Sequence, residues 1–306
     1  MTESGLASVK SPEITAKWSK GRAQVALRVM LRNRLVAAGG VIAIVVVLTA
    51  LFADVIAPYD PIETNALVRL ESPSLEHPFG TDRFGRDVFS RTVFGSRISL
   101  FVSITSIAIA TVVGAVLGLV AGYFGRWTDV ILSRVFDVVF SVPGLLLAIG
   151  IAALLGSGQR NAVMAIAIVY SPLLARVVRG SAIAESQKEY VQAASMMGAR
   201  NHRILLRHIF PNVLSPLIVQ ISIALSYAIL IEAYLSYLGL GAQPPDPSWG
   251  TMLSDGRPFL ENAPWMSVFP GVTIMLTVLA FNLLGDGLQE VLDPRLRSSL
   301  LARSSQ

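Results

Sequence analysis

The sequence predicts an all-helical integral membrane protein with six bilayer-spanning helices, and three observations lead there. Hydrophobic residues fill 53% of the 306 positions and charged residues only 15%, with a mean hydropathy of +0.61, outside the balance of a soluble domain. The apolar residues gather in runs of about 20, the length of helix that crosses the hydrocarbon of a bilayer. The basic residues gather in alternate connecting segments, as the positive-inside rule requires.

Six spans follow in order. The first runs from Leu35 to about Ala57 and is uncharged up to Asp54. The second, Ile98 to Tyr123, carries no charge, and its Gly114, Gly118 and Gly122 at four-residue intervals suit close packing within the chain or against a partner. The third runs from Val130 to Leu155, with Arg134 and Asp137 spaced to pair on one helix face and Pro143 inside. The fourth, Asn161 to about Ala175, contains Pro172 and either stops there or continues past Arg176, whose side chain then snorkels. The fifth runs from Val213 to Leu240 and holds Pro216 and Glu232, and the sixth from Trp265 to Leu284. Each internal proline removes a backbone donor and invites a kink.

With the N-terminus in the cytoplasm, 18 of the 25 Lys and Arg fall in inside segments and 7 in outside loops. The 34 residues before the first span, and its length, do not suit a cleaved signal peptide, so that span is expected to stay. The expected organisation is a cytoplasmic tail at 1–34, a first span at 35–57 and an extracytoplasmic loop at 58–96. A block of five spans at 97–287 follows, with an inside loop at 185–212, and then a cytoplasmic tail at 288–306. Between Pro58 and Arg97 five basic and six acidic residues balance. There Thr81 or Asp82 is expected to cap an interfacial helix laced by Asp82–Arg86 and Asp87–Arg91 pairs. The acid spacing does not follow an EF-hand, and no metal site is expected.

Several function classes are excluded. Zero cysteines rule out disulfides, thiolate metal sites and palmitoylation. The net charge of +5 reports loop sidedness, and no nucleic-acid partner is expected. Of the four lysines, Lys10, Lys17, Lys20 and Lys188, none follows a glycine, so the chain has no phosphate-cradling loop. His77, His202 and His208 all lie in loops, and Gly285-Asp286-Gly287 has no second aspartate at comparable depth, so no catalytic residues are expected. An ion-coupled secondary transporter needs ionisable groups near the midplane. Glu232 lies about 28 Å along the fifth span, near its outer end, and is expected to face an outer vestibule or a partner subunit. Asp137 is expected to be held by Arg134.

The segment YVQAASMMGARNHRILLRHIFPN, Tyr190 to Asn212, is the longest inside connection. Ala193, Ala194 and Met197 share a helix face, Gly198 suits a left-handed cap, and Asn201 suits the cap of a second helix with Leu205 and Ile209 as its apolar positions. Pro211 then ends the pattern or opens the fifth span. Small side chains at Ala193, Ala194 and Gly198 permit close approach of another backbone, ringed by Arg200, Arg203 and Arg207. The residues alone leave two readings: a docking elbow, or amphipathic helices lying on the membrane.

Here the chain resembles the permeases of ABC transporters, whose coupling loop carries Glu-Ala-Ala, then Gly, then Ile-x-Leu-Pro. Ala193, Ala194, Gly198 and Pro211 fall at those spacings, while Gln192, His208 and Phe210 depart from the pattern. The ending His208 to Asn212 resembles that of the dipeptide and oligopeptide group. HPFGTDRFGRDVFSR, GYFGRWTDVILSRVFDVVFSVPGLLLAI, LSYLGLGAQPPDPSWG and FNLLGDGLQEVLDPR, in that order, look like its C-type membrane subunit.

The resemblance implies a type I importer permease fold, one extra N-terminal helix before five core helices, in the inner membrane. It implies as partners a second homologous permease subunit, two ATP-binding subunits that carry ATP and Mg, and an extracytoplasmic substrate-binding protein, all in membrane lipid. No cofactor is expected in this chain. ATPase coupling is assigned to Gln192, Ala193, Ala194, Gly198, Arg200, Arg203, Arg207, His208, Pro211 and Asn212. Glu232, Tyr234 and Asn282 are expected along the substrate pathway. Peptides are the expected substrate, with nickel, other metal chelates or haem as the alternative cargo.

Overall fold

The structure is a computed structural model that describes residues 34–292. The tails expected at 1–34 and 288–306 lie almost entirely outside the described residues. Helix α1 (Arg34–Leu51) and a short α2 (Ala53–Ile56) lead into a loop, from which α3 (Val88–Phe124) rises. Next come α4 (Arg126–Phe140), α5 (Gly144–Leu155) and α6 (Gln159–Ser186), then the short α7 (Glu189–Met196) and α8 (Asn201–Ile204). The described chain ends with α9 (Phe210–Tyr237), α10 (Trp249–Gly256) and α11 (Trp265–Leu292). Among the described residues, five helices are long and apolar enough to cross a bilayer, and six spans result if the bent pair α4–α5 counts as one.

Helix α3 is the spine. Its 37 residues make a rod of about 55 Å, longer than the hydrocarbon is thick. Gly114, Gly118 and Gly122 all face α6: a Cβ on Gly118 would stand 2.4 Å from the Ala175 carbonyl, and one on Gly122 2.7 Å from that of Arg179. The glycine stripe therefore serves packing inside the chain, settling the choice the sequence left open. Helix α6 continues past Ala175 to Ser186, so Arg176 comes opposite Asp137 and donates to it at 3.3 Å while stacking on Phe140. The expected Arg134–Asp137 pair is thus replaced by one across two helices.

The third expected span is broken. Helices α4 and α5 meet at 89°, because Pro143 begins α5 in an extended conformation (ψ 128°) and has no N–H to continue α4. Twelve residues, about 18 Å, leave α5 too short to cross alone. Helix α4 buries only Phe136 fully and fixes its polar side through Asp129, which accepts from Arg179.

The expected interfacial helix is helical only from Val88, where α3 begins, and its first part, up to Asp87, is a turn. Gly85 (φ +74°) interrupts it, and a Cβ there would lie 1.8 Å from the Asn65 carbonyl. Asp87 instead caps α3, accepting from the Ser90 N–H at 2.7 Å and pairing with His77 at 2.9 Å. The Asp82–Arg86 pair forms at 2.6 Å, but Arg91 turns to Asp82 and Asp255 rather than to Asp87. Trp265 donates to the Thr81 carbonyl, holding this loop on α11, and the fully buried Trp249 donates to that of Thr92, holding α10 on α3.

The first helix is seated firmly on the others. Gly39 lets α1 meet Leu283 of α11, and Arg97 of α3 donates to the carbonyls of Ala50 and Leu51 while pairing with Asp54 at 2.8 Å. That places a cation on the orphan carbonyls of a helix C-terminus.

Candidate functional site: the elbow between α6 and α9

Between α6 and α9 the chain makes two short helices at a bend. Val191 of α7 turns into the main core and Ala194 is buried on the same inner side, whereas Gln192, Ala193 and Ser195 turn out. Met196 and Met197 are 87% and 82% exposed. The expected shared face of Ala193 and Ala194 is therefore split: Ala194 packs within the chain, and Ala193 belongs to the outer surface.

Helix α7 ends in a Schellman motif. Gly198 (φ +80°) donates to the Ser195 carbonyl at 3.0 Å, and Ala199 donates to that of Ala194 at 3.1 Å. A Cβ at Gly198 would touch nothing within 4 Å, so glycine serves the backbone angle and not a clash. Asn201 does not cap α8. Arg200 holds the cap position without a side-chain bond, and the Asn201 side-chain oxygen accepts from the Tyr123 hydroxyl at 3.1 Å, tying α8 to the last turn of α3.

Ile204 and Ile209, both fully buried, anchor the second arm in the main core. Leu205–Ile209 form a single π turn, in which the Phe210 N–H reaches back to the Leu205 carbonyl. Pro211 then opens α9, where its missing N–H costs least. Arg200, Arg203 and Arg207 are exposed, as are His202 and Leu206.

A polar junction joins the two arms. The Asn212 side-chain amide donates to the Tyr190 hydroxyl at 3.2 Å and to the His208 carbonyl at 2.8 Å. The same hydroxyl donates to Glu185, whose other oxygen takes Lys188 at 2.6 Å. Burial, and then the bond to Glu185, pushes the Tyr190 phenol up to about 12, so it remains a neutral donor. Gln192 ties the preceding turn by donating to the Gln187 carbonyl at 3.2 Å. The elbow is thus a braced unit with an apolar, arginine-bordered outer surface.

Sequence reasoning passed over Glu185, Tyr190 and Tyr123 as functional residues. An acid, a lysine and a tyrosine bracketing a helix break, Glu185-x-x-Lys188-x-Tyr190, were the signal for the first two; no local signal links Tyr123 to Asn201.

The residues expected along the substrate pathway lie apart from one another in kind. Glu232 does not face an open vestibule: it is fully buried inside the chain, where Ser236 donates to its Oε1 at 2.7 Å and its Oε2 has no hydrogen-bond partner among the described residues. Tyr234 is half exposed, and Asn282 accepts from Ser226 at 2.7 Å across α9 and α11.

Comparison with known proteins decides what kind of molecule this is. Residues 114–298 match the family described as the inner-membrane component of binding-protein-dependent transport systems. This chain belongs to that family. Residues 21–73 of the permease further match the N-terminal transmembrane domain of oligopeptide transport permease C, which accounts for α1 as an addition ahead of the shared core. The permease is 47% identical over 273 residues to a dipeptide transport system permease protein of Alkalihalophilus pseudofirmus, covering 89% of this chain and 90% of that one. It is 45% identical over 272 residues to a glutathione transport system permease protein of Pectobacterium atrosepticum, covering 89% and 90%. A di/tripeptide transport system permease protein of Pseudomonas aeruginosa is 42% identical over 262 residues, covering 84% and 86%. Permeases of this family are membrane components of ABC importers that work in complex with other transporter subunits and are not themselves catalytic.

Proposed function

We propose that this permease imports short peptides and that the elbow from Glu189 to Asn212 receives the ATPase. The single observation that carries the docking role is the braced bend: exposed Met196 and Met197, bordered by arginines, sit on a unit whose far arm runs directly into α9. Methionine and arginine are enriched in protein interfaces, and a unit stiffened by the Tyr190–Asn212 junction passes a push into α9 instead of absorbing it. Two ATP-binding subunits would supply the hydrolysis, with ATP and Mg held on them. A second, homologous permease would complete the pathway, and an extracytoplasmic binding protein would deliver the peptide.

The elbow then lies in the cytoplasm with both termini, and residues 58–87 outside, as the distribution of Lys and Arg supports. Peptides of two or three residues are the proposed cargo, since relatives named for dipeptide, di/tripeptide and glutathione transport flank the chain at 42–47% identity. The test is uptake of labelled di- and tripeptides into proteoliposomes holding the assembled complex. Uptake that needs ATP inside and the binding protein outside is the expected result. Uptake by the isolated chain under an ion gradient without ATP would establish a secondary transporter instead.

A further inference from the structure

Three guanidinium groups converge at the loop end of the molecule around a cavity of about 280 Å³ walled by Phe84, Pro244, Pro245 and Thr251. Arg86 and Arg91 are 8% and 3% exposed, and Arg83 stands at the mouth. Among the described residues, two carboxylates, Asp82 and Asp255, pair with the three cations. Asp82 is already committed, accepting from the N–H groups of Phe84 and Arg86 and from the Arg86 Nε at 2.6 Å. Asp255 accepts from Arg83 at 3.0 Å but stands 3.6 Å from Arg86 and 3.9 Å from Arg91, beyond hydrogen-bonding reach. Arg91 spends one nitrogen on the Pro61 carbonyl. Asp246, on the rim, is exposed and turned to Gln159 at 3.5 Å.

The result is a shortage of acceptors. The Arg86 Nη2 and the Arg83 Nε are shielded from solvent and have no hydrogen-bond partner among the described residues. Unpaired buried donors of this kind are rare and costly, and more so when they carry charge. The Phe84 ring lies against both guanidinium groups, 4.6 Å from Arg83 and 4.7 Å from Arg86, and holds their planes in place. A fixed guanidinium fork with an empty side suits a carboxylate. The cavity falls below the roughly 300–1,000 Å³ of small-molecule sites, so it has room for one side chain and not for a whole peptide.

We propose that this pocket is a carboxylate receptor on the extracytoplasmic face, filled by an aspartate or glutamate side chain of the docked binding protein. The inference rests on the importer reading above, which places residues 58–87 outside and a binding protein against them.

The experiment uses the assembled complex in nanodiscs and measures docking of its purified binding protein. Arg83→Gln, at the half-exposed mouth, is expected to weaken docking roughly tenfold and to flatten its dependence on salt. Asp255→Asn removes the internal competitor and is expected to tighten docking, which keeps the test informative should Arg83→Gln fail to assemble. An acid-to-amide scan of the binding protein should find one side chain whose loss is not additive with Arg83→Gln. Unchanged docking in assembled Arg83→Gln and in Asp255→Asn overturns the proposal. Unchanged docking with uptake lost for free-acid peptides, but retained for C-terminally amidated ones, overturns it in favour of a receptor for the substrate's own carboxylate. Failure of the importer reading has a separate signature: wild-type complex that takes up peptide with no binding protein present.

Discussion

Asn212, in the first turn of α9, donates its side-chain amide across 3.2 Å to the hydroxyl of Tyr190 in α7. The two residues are 22 apart in sequence, and their bond closes the elbow like a brace across a bracket. Tyr190→Phe keeps the ring and deletes this bond together with the one the hydroxyl donates to Glu185, each worth about 1 kcal/mol. The expected outcome is a roughly 2- to 10-fold fall in peptide moved per ATP hydrolysed, with the complex still assembled. Asn212→Ala should also weaken coupling, and the double variant should fall short of the sum of the two, because both remove the shared Tyr190–Asn212 contact. Simultaneous uptake and ATPase rates in proteoliposomes measure this.

The same brace is expected to be insensitive to pH in the working range. A phenol whose ordinary value is near 10 and whose folded value is about 12 stabilises the fold fully below the first and loses that contribution only as pH rises through the second. The ratio of uptake to hydrolysis should therefore stay flat between roughly pH 6 and 9 in wild type relative to Tyr190→Phe. Ultraviolet difference spectra should lose one late-titrating tyrosine on going from wild type to Tyr190→Phe.

Gly198 gives a sharper contrast. Its φ of +80° with open space around it makes the backbone angle the only obstacle to a side chain. Asn tolerates the left-handed region and β-branched residues do not. Gly198→Asn should retain most uptake, whereas Gly198→Val should unwind the cap at a cost of about 1–2 kcal/mol and release the ATPase, seen as its loss on size-exclusion chromatography.

Gly118 tests packing instead of backbone conformation. A Cβ there meets the Ala175 carbonyl at 2.4 Å and Val178 at 2.7 Å, so Gly118→Leu must push α3 from α6. Overpacking of this kind costs about 1–3 kcal/mol, read as a lowered Tm in detergent. Gly125→Leu, where nothing lies within 4 Å but φ is +58°, should cost less than Gly118→Leu and act through the turn.

Glu232 is predicted to be a packing residue. Glu232→Ala removes the acceptor of the Ser236 hydroxyl and opens a void in a fully buried site, at a cost of about 1–3 kcal/mol. Glu232→Gln keeps the oxygen and the volume and should be the milder variant. Equal losses of uptake in both, with unchanged Tm, would return Glu232 to the transport pathway.

The spans were legible because apolar length is a local property: five of the six expected runs coincide with single long helices, and the end of α7 at Gly198 follows from one residue's freedom. What was not legible depends on distant partners. Asp137 chose Arg176, 39 residues away, over the nearer Arg134. Charges at 82–91 suggested a helix by their four-residue spacing, yet Gly85 folds that segment against Asn65, and Arg83 finds Asp255 172 residues on. The break at Pro143 was visible as a proline but not as a right angle, since hydropathy cannot tell a kinked span from two half-helices. At the elbow, sequence named both ends and missed the Glu185–Tyr190 strut between them, because a hydroxyl and an acid in a polar segment look like ordinary surface.

The hold of Arg97 on the closing carbonyls of α1 makes that first helix a passenger of α3. Because Gly39 also seats it flush on α11, it has no independent swing. A fluorophore on the outward side of α1, at Val41 or Ile44, therefore rides with the α3–α11 body and offers a window on its travel without a label inside the conduit.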